Sequence, residues 1–341
     1  MRNVVLLLAG GAVALLTTAI LFTAGWERPP IHTVQGGFRG LSMGQMSTAA
    51  SEKALAAANK LPDPLPPATP AGDRATDTYK NVKVLTDLST DQFNRLMLGL
   101  NAWVAPVDQA CNYCHNPDDM ADDAPYTKRV ARVMLQMTRA INKDYQTHVS
   151  TTGVTCWTCH RGNPLPANVW FKEKPAGAGG YTASNDGLGH PNAVNGTTAL
   201  NTDPFSGLLD DKGAIRVQAA QVYPAAYGAS IQATEKSYSL MVAISKGMGV
   251  NCTYCHNAQD FGMWSLSTPA RVTAWHGIQM ARDLNAKYMI PLQTEWPADR
   301  LGPVGDGPKI VCATCHQGAS KPLLGVSVAN DWPELNGVSK P

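Results

Sequence analysis

Charge is scarce in this sequence. Only 16% of its 341 residues are Asp, Glu, Lys or Arg, and 28 basic side chains against 26 acidic ones leave a formal net charge of +2. So even a balance excludes the strongly basic profile of a nucleic-acid binder and leaves electrostatic docking to local patches. Cysteine is nearly as limited. There are eight, and each stands inside a C-x-x-C-H pentapeptide, so none remains for a separate disulfide framework of the kind that staples small exported domains. Proline, by contrast, is plentiful at 24 residues, which suits a loop-rich chain whose short helices pack on cofactors rather than on one another. The length allows one large domain or two fused halves, with a sizeable core in either case.

The four pentapeptides are Cys111 to His115, Cys156 to His160, Cys252 to His256 and Cys312 to His316. Two thiols three residues apart can form thioether bonds to the two vinyl groups of a haem, and the adjacent histidine can then bind the iron from one side. Zinc sites also use cysteine and histidine, and a lone C-x-x-C can be a thiol redox motif. Zinc does not require a histidine directly after every second cysteine, however, and a redox motif does not require four copies. The pattern predicts a c-type cytochrome with four covalently bound haems, held by Cys111, Cys114, Cys156, Cys159, Cys252, Cys255, Cys312 and Cys315.

Val4 to Gly25 form a nearly unbroken apolar run preceded by Arg2, long enough to cross a bilayer. The small-x-small cleavage site of a signal peptide is poorly matched near Thr23-Ala24-Gly25, so an uncleaved anchor is expected, with Arg2 on the cytoplasmic side and the bulk of the chain in the periplasm. Between Ser47 and Asp73 the composition turns to Ala, Pro and short polar residues, which reads as an extended surface strap.

The motifs are of two alternating kinds. Tyr113-Cys114-His115-Asn116 matches Tyr254-Cys255-His256-Asn257, whereas Thr158-Cys159-His160 and Thr314-Cys315-His316 share another tail, each followed shortly by Pro-Leu. Met137, Arg139 and Asn142 recur as Met280, Arg282 and Asn285. These correspondences predict a duplicated two-haem unit in a mainly α fold with long irregular loops. The expected domains are an anchor at 1–28, a strap at 29–80, a first two-haem unit at 81–171, a connecting segment at 172–230 and a second unit at 231–341. In the first unit Ser89 and Gln92 read as a capping box opening a helix with Phe93, Leu96, Met97 and Leu100 on one face. A second helix follows Pro125, with Val130, Val133, Met134, Met137 and Ile141 at helical spacing. In the second unit Leu240, Met241 and Ile244 lie on the first helix, and Thr268-Pro269 opens the next. Lys172 to Asn201, rich in Gly and Asn, reads as a surface loop.

The motif histidine fills one axial site of each iron, and the other site decides whether the haem conducts or reacts. Met97 and Met241 occupy matching places on the first helix of each unit and are candidate ligands for the first and third haems. Met134 is a candidate for the second, with Met137 one turn away. The fourth has no equally clear methionine, because Gly277 stands where the first unit has Met134. Histidines outside the motifs are His32, His148, His190 and His276, and His276 and Met280 are the local competitors.

Taken together, the segments Gly37 to Gly44, Tyr79 to Leu85, Met134 to Asn142, Thr147-His148-Val149, Ser267-Thr268-Pro269 and Pro333-Glu334-Leu335 resemble the tetrahaem cytochrome subunit of the photosynthetic reaction centre of purple bacteria. That resemblance implies the axial pairs Met97 with His115, Met134 with His160, Met241 with His256, and His148 with His316. It also implies a periplasmic relay from a soluble cytochrome c or high-potential iron-sulfur protein to the photo-oxidised bacteriochlorophyll special pair, with the third haem nearest that pair and the first farthest away. The partners are then the reaction-centre core subunits, the soluble carrier and the inner membrane, with no nucleic acid. Many family members carry a lipidated cysteine at the end of the signal sequence, but here the run is Thr23-Ala24-Gly25-Trp26, which agrees with an uncleaved anchor. The rival class is a membrane-anchored tetrahaem quinol dehydrogenase, which is considerably shorter. Asp118, Asp119, Asp122 and Asp123 are expected to form an acidic docking patch beside the first haem, and Arg129 and Arg271 to face haem propionates.

Overall fold

The computed structural model describes residues 2–23, 31–36, 42–174, 200, 203–209, 215–217 and 230–337. Most of the predicted connecting segment, with His190, lies outside the described residues, as do Ala24 to Trp26 and Gly37 to Leu41. By its own contacts the chain divides into Met1–Ala58 and Asn59–Pro341, so both expected two-haem segments belong to one compact unit.

The first unit opens with helix α1 (Arg2–Thr23). Its residues 3–23 are exposed, and it is long and apolar enough to span a bilayer, at about 33 Å for 22 residues rising 1.5 Å each. Strands β1 (Ile31–Gln35) and β2 (Gly44–Thr48) pair antiparallel, with Ile31 opposite Thr48 and Gln35 opposite Gly44. Helix α2 (Ala49–Ala58) follows directly, its start satisfied by the Ser51 amide donating to Thr48 Oγ1. The expectation of an unbroken extended strap is therefore corrected for 31–58. Alanine is the best helix former, and the AASEKALAAA run nucleates a helix until the prolines end it.

In the second unit the proline-rich stretch after Lys60 is irregular, as expected, and is tied down by hydrogen bonds. Arg95 Nε donates to Pro66 O (2.7 Å) and Ser89 Oγ to Thr69 O (2.6 Å). Beyond the short turn α3 (Ala75–Thr78) come α4 (Thr90–Val104), α5 (Tyr126–Asp144), α6 (Gln146–Val149), α7 (Cys156–His160), α8 (Ser206–Leu209), α9 (Ile231–Met248), α10 (Pro269–Leu284) and α11 (Cys312–His316). The predicted Ser89/Gln92 capping box opens α4, and Pro269 begins α10 behind Thr268.

Helix α4 packs on α7 and α9 packs on α11, while α7 and α11 pack on each other and α10 packs on α6. Apolar residues gather into three clusters. One joins Leu85, Leu96, Trp103, Leu135, Trp332 and Leu335, a second lies around Leu240, Ile244 and Ile278, and a third draws Met137, Ile141 and Val154 together with Leu284, Met289 and Ile310. The chain end is locked to α4 by Arg95, whose Nη1 donates to both Glu334 oxygens (3.0 and 2.9 Å) in a nearly water-free pair beneath the Trp332 ring.

Candidate functional site

The first two pentapeptides pack on α4 and the last two on α9. The first and third form tight 3-10 turns (Ala110–Tyr113 and Cys252–Tyr254), and the second and fourth are the single-turn helices α7 and α11, so the two kinds of motif also differ in backbone conformation. Behind α7 and α11 the chain bends sharply. Arg161 and Gln317 adopt left-handed backbones (φ 50° and 47°), each followed by a glycine, and Gly162 and Gly318 donate to Trp103 O on α4 (2.9 Å) and Gly247 O on α9 (2.8 Å). Glycine is suited to the positive φ that both Gly162 and Gly318 adopt.

In front of α7 and α11 stands a second shared device. Asn142 Oδ1 accepts from the Val154 amide (2.7 Å), and its Nδ2 donates to the Val154 and Leu335 carbonyls. Asn285 does the same for Ile310, accepting from its amide (2.9 Å) and donating to its carbonyl (2.8 Å). Both amides are buried, and each clamps the backbone two residues before the first cysteine of its motif. Their recurrence is visible in the sequence; what they hold is not.

All four motif histidines present the same face. His115 Nδ1 donates to Met120 O (3.0 Å), His256 Nδ1 to Phe261 O (2.8 Å), His160 Nδ1 to Asn163 O (2.8 Å) and His316 Nδ1 to Ala319 O (2.9 Å). A carbonyl can only accept, so the ring proton sits on Nδ1 and the lone pair of Nε2 stays free, the tautomer a metal ligand needs. Burial holds His160 and His256 below the usual imidazole range and pushes His316 down to about 4, which keeps these rings neutral at physiological pH.

A cavity of about 590 Å³ is bordered by Cys111, Cys114, His115, Cys156, Cys159 and His160 together with Met97, Met134 and Met137. Its apolar walls and convergent thiol, imidazole and thioether groups fit haem bound at the first two motifs. Met241 lies on α9, packed against the cluster of Leu240 and Ile244. Burial raises the thiols of Cys114 (about 11), Cys156 (about 12) and Cys312 (about 11), with Cys255 also raised. Among the described residues no three of His, Cys, Asp or Glu converge as a closed zinc site would require.

His148, on α6, shares the arrangement of the motif histidines. Its Nδ1 donates to Thr273 O on α10 (2.9 Å), burial lowers its pKa, and its ring centroid lies 6.0 Å from that of His316. Two ring nitrogens each about 2 Å from a transition metal bring imidazole centroids to roughly this separation. The other two described candidates stand elsewhere, His32 on Glu52 (3.2 Å) and His276 edge-on to Trp275.

Cys159 and Cys315 lie against each other, with Cα atoms 4.4 Å apart. The direct packing of α7 on α11, sealed by Gln317 Nε2 donating to Cys159 O (2.9 Å), is what brings these second cysteines together. The expected acidic patch is corrected in part: Arg132 and Lys83, with Lys128, surround Asp123 and hold its carboxyl well below the usual range, and Asp122 is engaged by Asn116 and the Ala124 amide, whereas Asp118 and Asp119 are exposed. Arg129 pairs with Glu295 (2.8 Å), and Arg271 stacks on Trp264 and donates to Ser267 (2.7 Å).

Residues 27–336 match the family model described as the photosynthetic reaction centre cytochrome C subunit. The chain is 44% identical over 320 residues to the photosynthetic reaction center cytochrome c subunit of Rubrivivax gelatinosus, covering 93% of this chain and 87% of that one. It is 39% identical over 323 residues to the subunit of Thermochromatium tepidum (94% and 79%), and 41% identical over 282 residues to that of Roseobacter denitrificans (78% and 75%). A more distant relative is cytochrome c-554 of Chloroflexus aurantiacus, 25% identical over 304 residues. With nearly its whole length matched, this chain belongs to the family of photosynthetic reaction centre cytochrome c subunits, electron-transfer proteins of the reaction centre.

Proposed function

We propose that this subunit binds four c-type haems and passes electrons through them from a soluble periplasmic carrier, a cytochrome c or a high-potential iron-sulfur protein, to the photo-oxidised bacteriochlorophyll pair of the reaction-centre core. The observation that carries the reading is the set of motif histidines with carbonyl-bound Nδ1 and free Nε2, repeated at all four C-x-x-C-H sites. When bound, haem iron supplies reversible one-electron chemistry.

The chain's own part is attachment, axial ligation and insulation from water. The eight motif cysteines provide the thioethers. His115, His160, His256 and His316 ligate from one side, and Met97, Met134, Met241 and His148 from the other. Met97 and Met134 are supported by their place on the cavity wall, Met241 by its register with Met97, and His148 by its ring facing His316. Six ligated positions leave no open site for a substrate. The duplicated two-haem unit is supported by the matched bonds of Asn142 with Asn285 and of Gly162 with Gly318. Helix α1 anchors the subunit in the photosynthetic membrane, with the haem-bearing part on the periplasmic side.

Flash excitation of membranes containing the assembled complex should oxidise these haems within one turnover, read by their absorbance change. Light that leaves every haem reduced rejects the relay.

A further inference from the structure

We propose that Gly277 selects the second axial ligand of the fourth site, admitting His148 by leaving α10 bare where a side chain would displace its ring. This rests on the pairing of His148 with His316 proposed above. Gly277 is buried in the middle of α10, where glycine is among the poorest helix formers and needs a compensating reason. A Cβ at this position would stand 2.5 Å from His148 Cε1, 2.8 Å from Nδ1 and 3.0 Å from Nε2, so its three nearest atoms all belong to one imidazole. Gly247 on α9 is different: a Cβ there meets backbone N and Cα of Ala313, which marks a close approach of two helices.

Helix α10 thus supplies both parts of the seat. The Gly277 backbone is the surface on which the ring lies, and Thr273 O, one turn earlier, accepts its Nδ1 proton (2.9 Å). A ring fixed at both points keeps its place opposite His316, with centroids 6.0 Å apart. On α5 the matching position carries Met134, a side chain that borders the cavity of its own unit. Methionine at 277 would occupy the space of the imidazole, and even alanine would push it aside. The ring is the tip of a side chain and yields more readily than the helix. Substitution should therefore alter ligation before it alters the fold, which makes Gly277 a positioning residue.

The test uses the haem-loaded protein with four variants, Gly277→Ala, His148→Ala, the double variant, and Gly277→Met in the His148→Ala background. Gly277→Ala should lose the bis-histidine low-spin signal of one haem, gain carbon monoxide binding at that haem when reduced, and leave the other three potentials in place. Gly277→Ala added to His148→Ala should change neither spectrum nor thermal midpoint, and Gly277→Met in that background should produce a thioether-to-iron charge-transfer band. If His148→Ala removes the bis-histidine signal while Gly277→Ala keeps the wild-type spectrum and potential, the role of Gly277 is refuted and the ligand assignment stands. If His148→Ala leaves the signal intact, the assignment itself fails. Should Gly277→Ala not assemble, a double variant that assembles supports the steric role, and one that also fails shows a packing defect and overturns it.

Discussion

Asn142 and Asn285 clamp corresponding backbone in the two halves of the haem-bearing unit, but at another matched position the halves diverge, with Met134 in the first and Gly277 in the second. In each half a buried carboxamide clamps the segment entering a motif helix, and a glycine past the motif ties it back to the first long helix of that half, α4 or α9. These bonds satisfy buried backbone groups and tolerate little change. The axial position opposite the histidine is free of that duty. In the proposed ligation Met134 on α5, which borders the cavity, fills it from within its own segment, whereas α10 has no side chain at 277 and the imidazole of His148 from the other half lies there. Attachment of the motif is therefore common to both halves, and the choice of partner distinguishes them.

The halves differ also in how they are sealed, and this carries the largest expected effect. Arg95 on α4 holds Glu334 in a buried pair, and the matching position on α9 is Ser239. Arg95→Met leaves a carboxylate buried without its cation and should cost about 3–5 kcal/mol, whereas adding Glu334→Leu should recover most of the loss. Denaturant midpoints of the three proteins decide this. Single and double variants of equal stability would show that the pair does not hold the chain end.

Acid should strike the second half through His316. Burial puts its folded pKa near 4 against an ordinary 6.5, so the unfolded chain takes up the proton first as pH falls. The contribution is complete above pH 6.5 and shrinks as pH drops toward 4, by about 3 kcal/mol in all. Coordination of Nε2 opposes protonation in the same direction. Denaturant unfolding at pH 7, 5.5 and 4 should follow that slope, and His316→Gln should flatten it.

The smallest effect tests the shared clamp. Asn142→Ala and Asn285→Ala each leave a buried amide and carbonyl of the segment without partners, at about 1–3 kcal/mol apiece. Similar shifts of the thermal midpoint would confirm that the two asparagines are equivalent. A loss at Asn142 only would confine the clamp to the half where the amide also reaches Leu335.

Much of this was legible in the chain. The four pentapeptides announce covalent haem because thioether attachment needs two thiols and a ligand at fixed local spacing. Helices α4, α5, α9 and α10 follow from apolar periodicity, with Ser89, Gln92 and Pro269 marking starts by local chemistry. Helix α2 escaped because alanines beside prolines read as linker, although alanine alone favours helix. The acidic run Asp118 to Asp123 misled because a carboxylate's partners are not its neighbours: Lys83 and Arg132 reach Asp123 only once α5 is in place.

Sequence by itself determined the cofactor class, the four motif histidines and the helices that carry the methionines, since each depends on contacts within a few turns of chain. Only the tertiary structure decided which nitrogen of each histidine is free, what Asn142 and Asn285 hold, that Cys159 lies against Cys315, and that the ring of His148 lies against Gly277. Those answers depend on backbone carbonyls, which every residue possesses, and on rings and thiols brought together from distant segments, which no local pattern encodes.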